Sequence, residues 1–225
     1  STSLAEGFAP GGSNLDGTLA ANDPAFVAPE APANAPTVSG DYHLTGTSPV
    51  TGLAPGSGLD LDFVARGTPA DLGAYEYVSA YSVWAAASGL TPGVNDDPED
   101  DPDGDGCPNW REFAFDGNPL SGTKSRKKRL GMVMVEDLEH LALTIPLRSG
   151  AVFAGTPSPS ASVDGITYII EGSSDLEDWT LPVIEIIPAD SVGLPALNSG
   201  WEYRTFVTGA EIGNAFLRTG LESGL

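Results

Sequence analysis

A run of side chains near the middle of the sequence carries oxygen donors at the spacing that a large, hard cation demands. Asp101, Asp103 and Asp105 stand at positions 1, 3 and 5 of a twelve-residue frame, Gly106 at 6, Cys107 at 7, Asn109 at 9 and Glu112 at 12. Calcium takes six to eight oxygens from carboxylates, backbone carbonyls and water, and this register supplies them. The expected ligands are the carboxylates of Asp101, Asp103 and Asp105, the backbone carbonyl of Cys107, a water held by Asn109, and a bidentate Glu112. Gly106 permits the sharp turn that folds the first three carboxylates over the ion. Asp96, Asp97, Glu99 and Asp100 precede the frame and add negative charge for the metal to offset. Without metal the segment is expected to splay. The plainer reading is a solvated acidic linker, but such runs rarely fill every position of the pattern in register. Pro108, at position 8, has no N–H to offer a partner loop, which points to a lone hand.

No comparable constellation suggests catalysis. His43 and His140 are far apart in sequence, there is no His-x-Glu zinc signature, and no Gly-x-Ser-x-Gly turn is present. Cys107 sits among carboxylates that disfavour a thiolate, so it is expected to be inert. No catalytic residue and no organic cofactor is assigned. Trp179, Trp201 and Tyr203 would serve as glycan-stacking platforms if exposed and as core if buried.

The elements that would position the frame are short. With 28 Gly and 19 Pro in 225 residues, turns and short strands are favoured over long helices. The formal charge of −21 excludes a general nucleic-acid binder, which needs a basic face. Five of the ten basic residues, Lys124, Arg126, Lys127, Lys128 and Arg129, crowd one run. This run is expected to be an exposed hinge over 124–130, with a local anionic contact as the alternative. A single cysteine leaves ladders and metal as the stabilising devices. No apolar run reaches membrane-spanning length and no leader is evident, so the chain is expected to be the C-terminal or processed part of a longer protein.

Residues 1–77 offer only short apolar dyads, too few for a self-sufficient core. Tyr77, Tyr81, Trp84 and Ser88 recur at helical spacing and predict a helix over 78–88, and Trp110, Phe113 and Ala114 predict a second over 109–115, stopped by Asp116-Gly117-Asn118-Pro119. Together they frame a linker over 78–123. From 131 to 225 the period changes to two. Leu141, Leu143, Ile145 and Leu147 alternate with His140, Ala142, Thr144 and Pro146, predicting a half-buried strand with the leucines and isoleucine inward. Further strands are expected over 132–135, 166–171, 183–187, 202–208 and 214–219, enough for a small antiparallel sandwich.

Three resemblances accompany these readings. Asp101 to Glu112 resembles the single calcium loops of dockerin and thrombospondin type 3 repeats. Asp23-Pro24-Ala25-Phe26-Val27, Gly40-Asp41-Tyr42-His43-Leu44, Gly46 to Val50 and Asp71 to Tyr77 resemble, in that order, the end of secreted bacterial right-handed parallel β-helices of the choice-of-anchor Q kind. Thr51-Gly52-Leu53 departs from that pattern. Tyr168 to Trp179 resembles a strand and turn of sandwiches that follow such calcium linkers in secreted proteins. The resemblances imply a mainly β chain: a terminal β-helix rung, a helix-calcium loop-helix linker and a β-sandwich. They imply a secreted or cell-surface setting, upstream rungs as neighbours, and a non-catalytic cap, spacer and attachment region for a polysaccharide or cell-surface component. The alternative is the tail of a carbohydrate-active β-helix enzyme, with catalytic residues upstream or among the acids of 41–76.

Overall fold

The computed structural model describes residues 4–5, 15–16, 19–34, 39–55, 58–67, 69–123, 126–209 and 214–225. The chain is mainly β and divides into two compact units between Ser79 and Ala80.

In the first unit, β1 (Leu4–Ala5) and β2 (Leu15–Asp16) pair in parallel. β3 (Phe26–Ala28) and β4 (Asp41–Leu44) pair antiparallel, with a register irregularity between Phe26 and Ala28. Beyond these, Ala54 and Ala70, and Leu59 and Ala65, form isolated antiparallel bridges. A stack of parallel rungs is not shown by the described pairing. With so little ladder, the backbone N–H groups of this unit need other acceptors, and buried carboxylates provide them. Asp60 accepts from the N–H groups of Asp62, Val64 and Glu76. Asp71 accepts from Gly52 and Tyr77, and Glu76 from Gly67 and Asp71. The N–H of Glu76, followed by those of Val64 and Asp62, holds the Asp60 carboxyl below the usual carboxylate range. These acids of the 41–76 segment therefore act as turn-makers.

Among its described residues the second unit holds α1 (Ala80–Ala87), α2 (Asn109–Ala114) and seven strands: β5 (Arg129–Val135), β6 (Leu138–Arg148), β7 (Ser160–Val163), β8 (Ile166–Ser173), β9 (Val183–Ile186), β10 (Trp201–Thr208) and β11 (Phe216–Ser223). They make two antiparallel sheets, ordered β5-β6-β10-β9 and β11-β8-β7. β8 shows why the sheets pack. Ile166, Tyr168 and Ile170 are fully buried while Thr167, Ile169 and Glu171 between them are less so, the period-two pattern of a strand facing a core. They meet Ile145 and Leu147 of β6, Phe206 of β10 and Val183 of β9.

That core does not stop at the sandwich. Tyr81 and Trp84 of α1, Leu90, and Phe113, Ala114 and Phe115 at α2 belong to the same buried cluster. Phe113 is wholly buried, with Tyr81, Trp84 and Trp201 around it at centroid distances of 5.5, 5.4 and 6.0 Å. The Tyr168 hydroxyl donates to the Ala114 carbonyl at 2.8 Å, and Trp201 Nε1 donates to the Phe113 carbonyl at 2.8 Å. The sandwich thus satisfies carbonyls that the short α2 leaves unpaired at its end. The segment given separate bounds from sequence, 78–123, shares one hydrophobic interior with the strands.

Two expectations require correction, and one strand had no sequence signal. β6 is an interior strand covered on both faces. Ile145 and Leu147 lie in the main core as expected, whereas Leu141 and Leu143 are only half-buried, and His140, Ala142 and Thr144 on the other face are buried. On that opposite side Thr144 Oγ1 bonds Thr205 Oγ1 and the Asp190 carbonyl, and His140 Nδ1 meets the Thr208 carbonyl at 2.7 Å. The basic run is no free hinge. Lys127 pairs with the fully buried Asp116 carboxylate at 2.6 Å, Lys128 lies over the Phe115 ring, and Arg129 opens β5 and pairs with Asp190 at 2.6 Å. Lys124 is outside the described residues. Finally, β7 was not foreseen, because Ser160-Ala161-Ser162-Val163 has too few apolar residues to declare a strand; its ladder with β8 makes it one.

Candidate metal centre

The loop between the helices is built on its own side chains. Asp101 Oδ1 accepts from Gly104 N and its Oδ2 from Gly106 N, at 3.0 and 2.9 Å. Asp103 Oδ1 accepts from Asp105 N and Asp105 Oδ1 from Cys107 N, at 3.1 and 2.8 Å. Gly104 and Gly106 have φ of 73° and 87°, the left-handed conformation that lets the loop double back. The outcome is that Asp101, Asp103 and Asp105 bring carboxylate oxygens within 4.8 Å of one another.

Glu112 arrives from α2, only 6% exposed. Its Oε1 accepts from Asn118 N at 3.1 Å, whereas Oε2 is buried without a hydrogen-bond partner. Asp103 Oδ2 is in the same condition. Burial first, and then the charges of Asp103, Asp105 and Asp101, push the Glu112 pKa up to about 7. Each buried unpaired polar group costs about 1–3 kcal/mol, more when charged. Glu112 is not one of the residues whose oxygens converge within 4.8 Å; a divalent cation that drew it in would relieve its penalty and that of Asp103 Oδ2, and oxygen donors of this kind suit calcium.

Two further residues of the frame have side chains engaged or placed apart from the aspartates. Asn109 is fully buried, and its Nδ2 donates to the carbonyls of Asn95 and Asp97 at 3.0 and 2.9 Å, securing the preceding turn. Its Oδ1 is buried without a hydrogen-bond partner, so the amide oxygen expected to hold a water is not taken up by these bonds. Cys107 is half-buried and free; burial, then the charges of Glu112 and Asp105, push its thiol up, away from thiolate. Asp96, Asp97 and Asp100 cap backbone N–H groups of 93, 99 and 97, so the acids before the frame shape its approach. Sequence reasoning missed the support behind Glu112. A Cβ on Gly117 would stand 2.8 Å from the Glu112 Cβ, and Asn118 N fixes Oε1. The only signal was Asp116-Gly117-Asn118-Pro119, read as a helix stop.

The three aromatic residues considered as glycan platforms are committed elsewhere. Arg148 covers Trp201 with its guanidinium carbon 4.2 Å from the ring centroid, and Arg218, paired with Glu171, covers Trp179 at 3.7 Å. The Tyr203 hydroxyl donates to the Pro195 carbonyl.

The first unit holds a separate titratable cluster. His43 Nδ1 lies 2.5 Å from Asp41 Oδ1, His43 Nε2 lies 2.6 Å from Asp62 Oδ2, and Tyr75 stacks on the ring at 4.1 Å. Asp41 and His43 are neighbours on β4, but nothing in the sequence announced Asp62. The hydrogen bonds to Asp62, then Asp41, raise the imidazole pKa above its ordinary value. The folded state therefore holds the proton more tightly. The contribution of this clasp is complete below the ordinary pKa, about 6.5, and is lost as pH rises through the folded value. An NMR titration should place the His43 midpoint above 6.5, and Asp62→Asn should bring it down; a midpoint unmoved by that substitution would show the clasp is not formed.

Among the described residues, no helix is long and apolar enough to cross a membrane. Compared with known protein families, with curated proteins and with solved structures, the chain shows no match.

Proposed function

We propose that this chain is a calcium-stabilised, non-catalytic terminal region of an exported protein, in which the ion locks the loop between α1 and α2 onto the sandwich. One observation carries the reading: buried, unpartnered Glu112 Oε2 and Asp103 Oδ2 beside three converging aspartates. Asp101, Asp103, Asp105 and Glu112 would hold the ion, joined by the Cys107 carbonyl and by a water on Asn109. The first unit would cap upstream parallel β-helix rungs, as its resemblance suggests, and the sandwich would attach to a polysaccharide or cell-surface component. Calorimetric titration tests the metal directly. A single site of about 10⁻⁵ to 10⁻³ M, the range of extracellular modules, is expected, with Asp103→Ala losing most of the affinity. Unchanged calcium binding in that variant would remove the assignment.

A second reading, the tail of a carbohydrate-active enzyme, draws on the Asp41, His43 and Asp62 cluster. Both imidazole nitrogens are engaged by carboxylates, which leaves no free lone pair for a general base. Release of reducing ends or unsaturated products from polysaccharide, lost on mutating Asp41 or Asp62, would favour that reading over the first.

A further inference from the structure

In so acidic a chain, with a formal charge of −21, every cation has carboxylates to choose from. Arg66, Lys127, Arg129, Arg148 and Arg218 each take one, and Arg204 takes two. Arg111, Arg126 and Lys128 have no carboxylate partner among the described residues, and all three line one cavity of about 540 Å³ beside the loop. Arg111 lies against the Trp110 ring and Lys128 over Phe115, with Nζ 3.2 Å from the centroid. Neither contact neutralises charge.

The same cavity is faced by Asp105, Glu112 and Asp116. Asp116 is already satisfied, its carboxylate held by Lys127 and by the backbone and side-chain N–H groups of Asn198. Asp105 and Glu112 belong to the proposed metal centre, where a divalent calcium ion would offset about half the charge of its four carboxylates. What remains for a ligand is a set of cationic donors. The volume lies in the range of small-molecule sites and accommodates a group as large as a monosaccharide.

We propose that this cavity binds an oxyanion, either a free sulfate or phosphate or the carboxylate of an acidic sugar, through Arg111, Arg126 and Lys128. The proposal rests on the calcium reading only for the partial neutralisation of Asp105 and Glu112. Guanidinium and ammonium groups make charge-assisted bonds to such oxygens, stronger than neutral ones.

The test uses the whole chain saturated with calcium, titrated with sodium sulfate, phosphate, glucuronate and, as neutral control, glucose, while NMR follows the backbone amides of Thr123, Arg126 and Lys128. Saturable shifts with at least one anion, and none with glucose, are expected. Glucuronate binding would identify acidic sugars as the source, and sulfate or phosphate binding alone would identify the free anion. In an Arg126→Gln, Lys128→Gln double variant the anion affinity should fall about tenfold or more, while calcium affinity, read by calorimetry on the same sample, stays as in the wild type. Thermal melts check that the double variant keeps its fold. No saturable shift with any anion, or equal anion affinity in the double variant, overturns the proposal. A chain that takes the anion but binds no calcium would sink the metal reading and leave this one standing.

Discussion

Chelating calcium should lower the melting temperature of residues 80–225 by about 5 to 10 °C relative to a sample in about 10 mM calcium. The magnitude follows from mass action. A ligand at about 100 times its dissociation constant, as 10 mM would be for a 10⁻⁴ M site, stabilises the folded state by about 2.7 kcal/mol. For a unit of this size each kcal/mol shifts the midpoint by about 2–4 °C. The effect should reach the strands, because α2, which carries Glu112, places Phe113 and Ala114 in the interior shared with the sandwich. Tryptophan fluorescence is the suitable probe: Trp84, Trp110, Trp179 and Trp201 are the four tryptophans, and all lie in this unit. Asp103→Ala should melt at one temperature with or without calcium. Identical melts of the wild type in calcium and in chelator would show that the loop makes no metal-dependent contribution to the unit.

Phe113→Ala should destabilise the whole second unit by about 3–5 kcal/mol, the usual cost of emptying a buried aromatic position. Set against a typical total of about 5–15 kcal/mol, that leaves little. Phe113 has no exposed surface and lies between the two helices and the sandwich, with Arg148 adding a guanidinium contact at 4.7 Å. Removing the ring opens a void against Tyr81, Trp84 and Trp201 together. A separable linker would melt alone and leave the strands at their original midpoint. The shared core predicts instead one cooperative urea transition, moved to lower concentration equally for fluorescence and for far-ultraviolet circular dichroism. Tyr168→Phe is the milder companion: it strands the Ala114 carbonyl without making a cavity, at about 1–3 kcal/mol. A Phe113→Ala protein whose strand signal kept the wild-type midpoint would refute the coupling.

The sequence by itself determined what is local. The aspartates of the loop lie within one short frame, so their spacing alone foretold that Asp101, Asp103 and Asp105 would converge, and period-two alternation located most strands from β5 onward. Helix-forming stripes placed Tyr81, Trp84 and Phe113 on buried faces for the same reason: each signal is contained in a few neighbouring residues. The tertiary structure decided whatever depends on partners distant in the chain. Thr144 and His140 are buried because Asp190, Thr205 and Thr208 come to cover or meet them. Lys127 is anchored because Asp116 is fully buried, and His43 is clasped because a turn brings back Asp62. Asn109 fits the loop pattern by type and position, and the carbonyls of Asn95 and Asp97 fix its orientation through Nδ2 while its Oδ1 is left without a partner. In each case the side chain carries the same chemistry in either setting, and the free energy of pairing with a distant group, absent from any local pattern, selects between them.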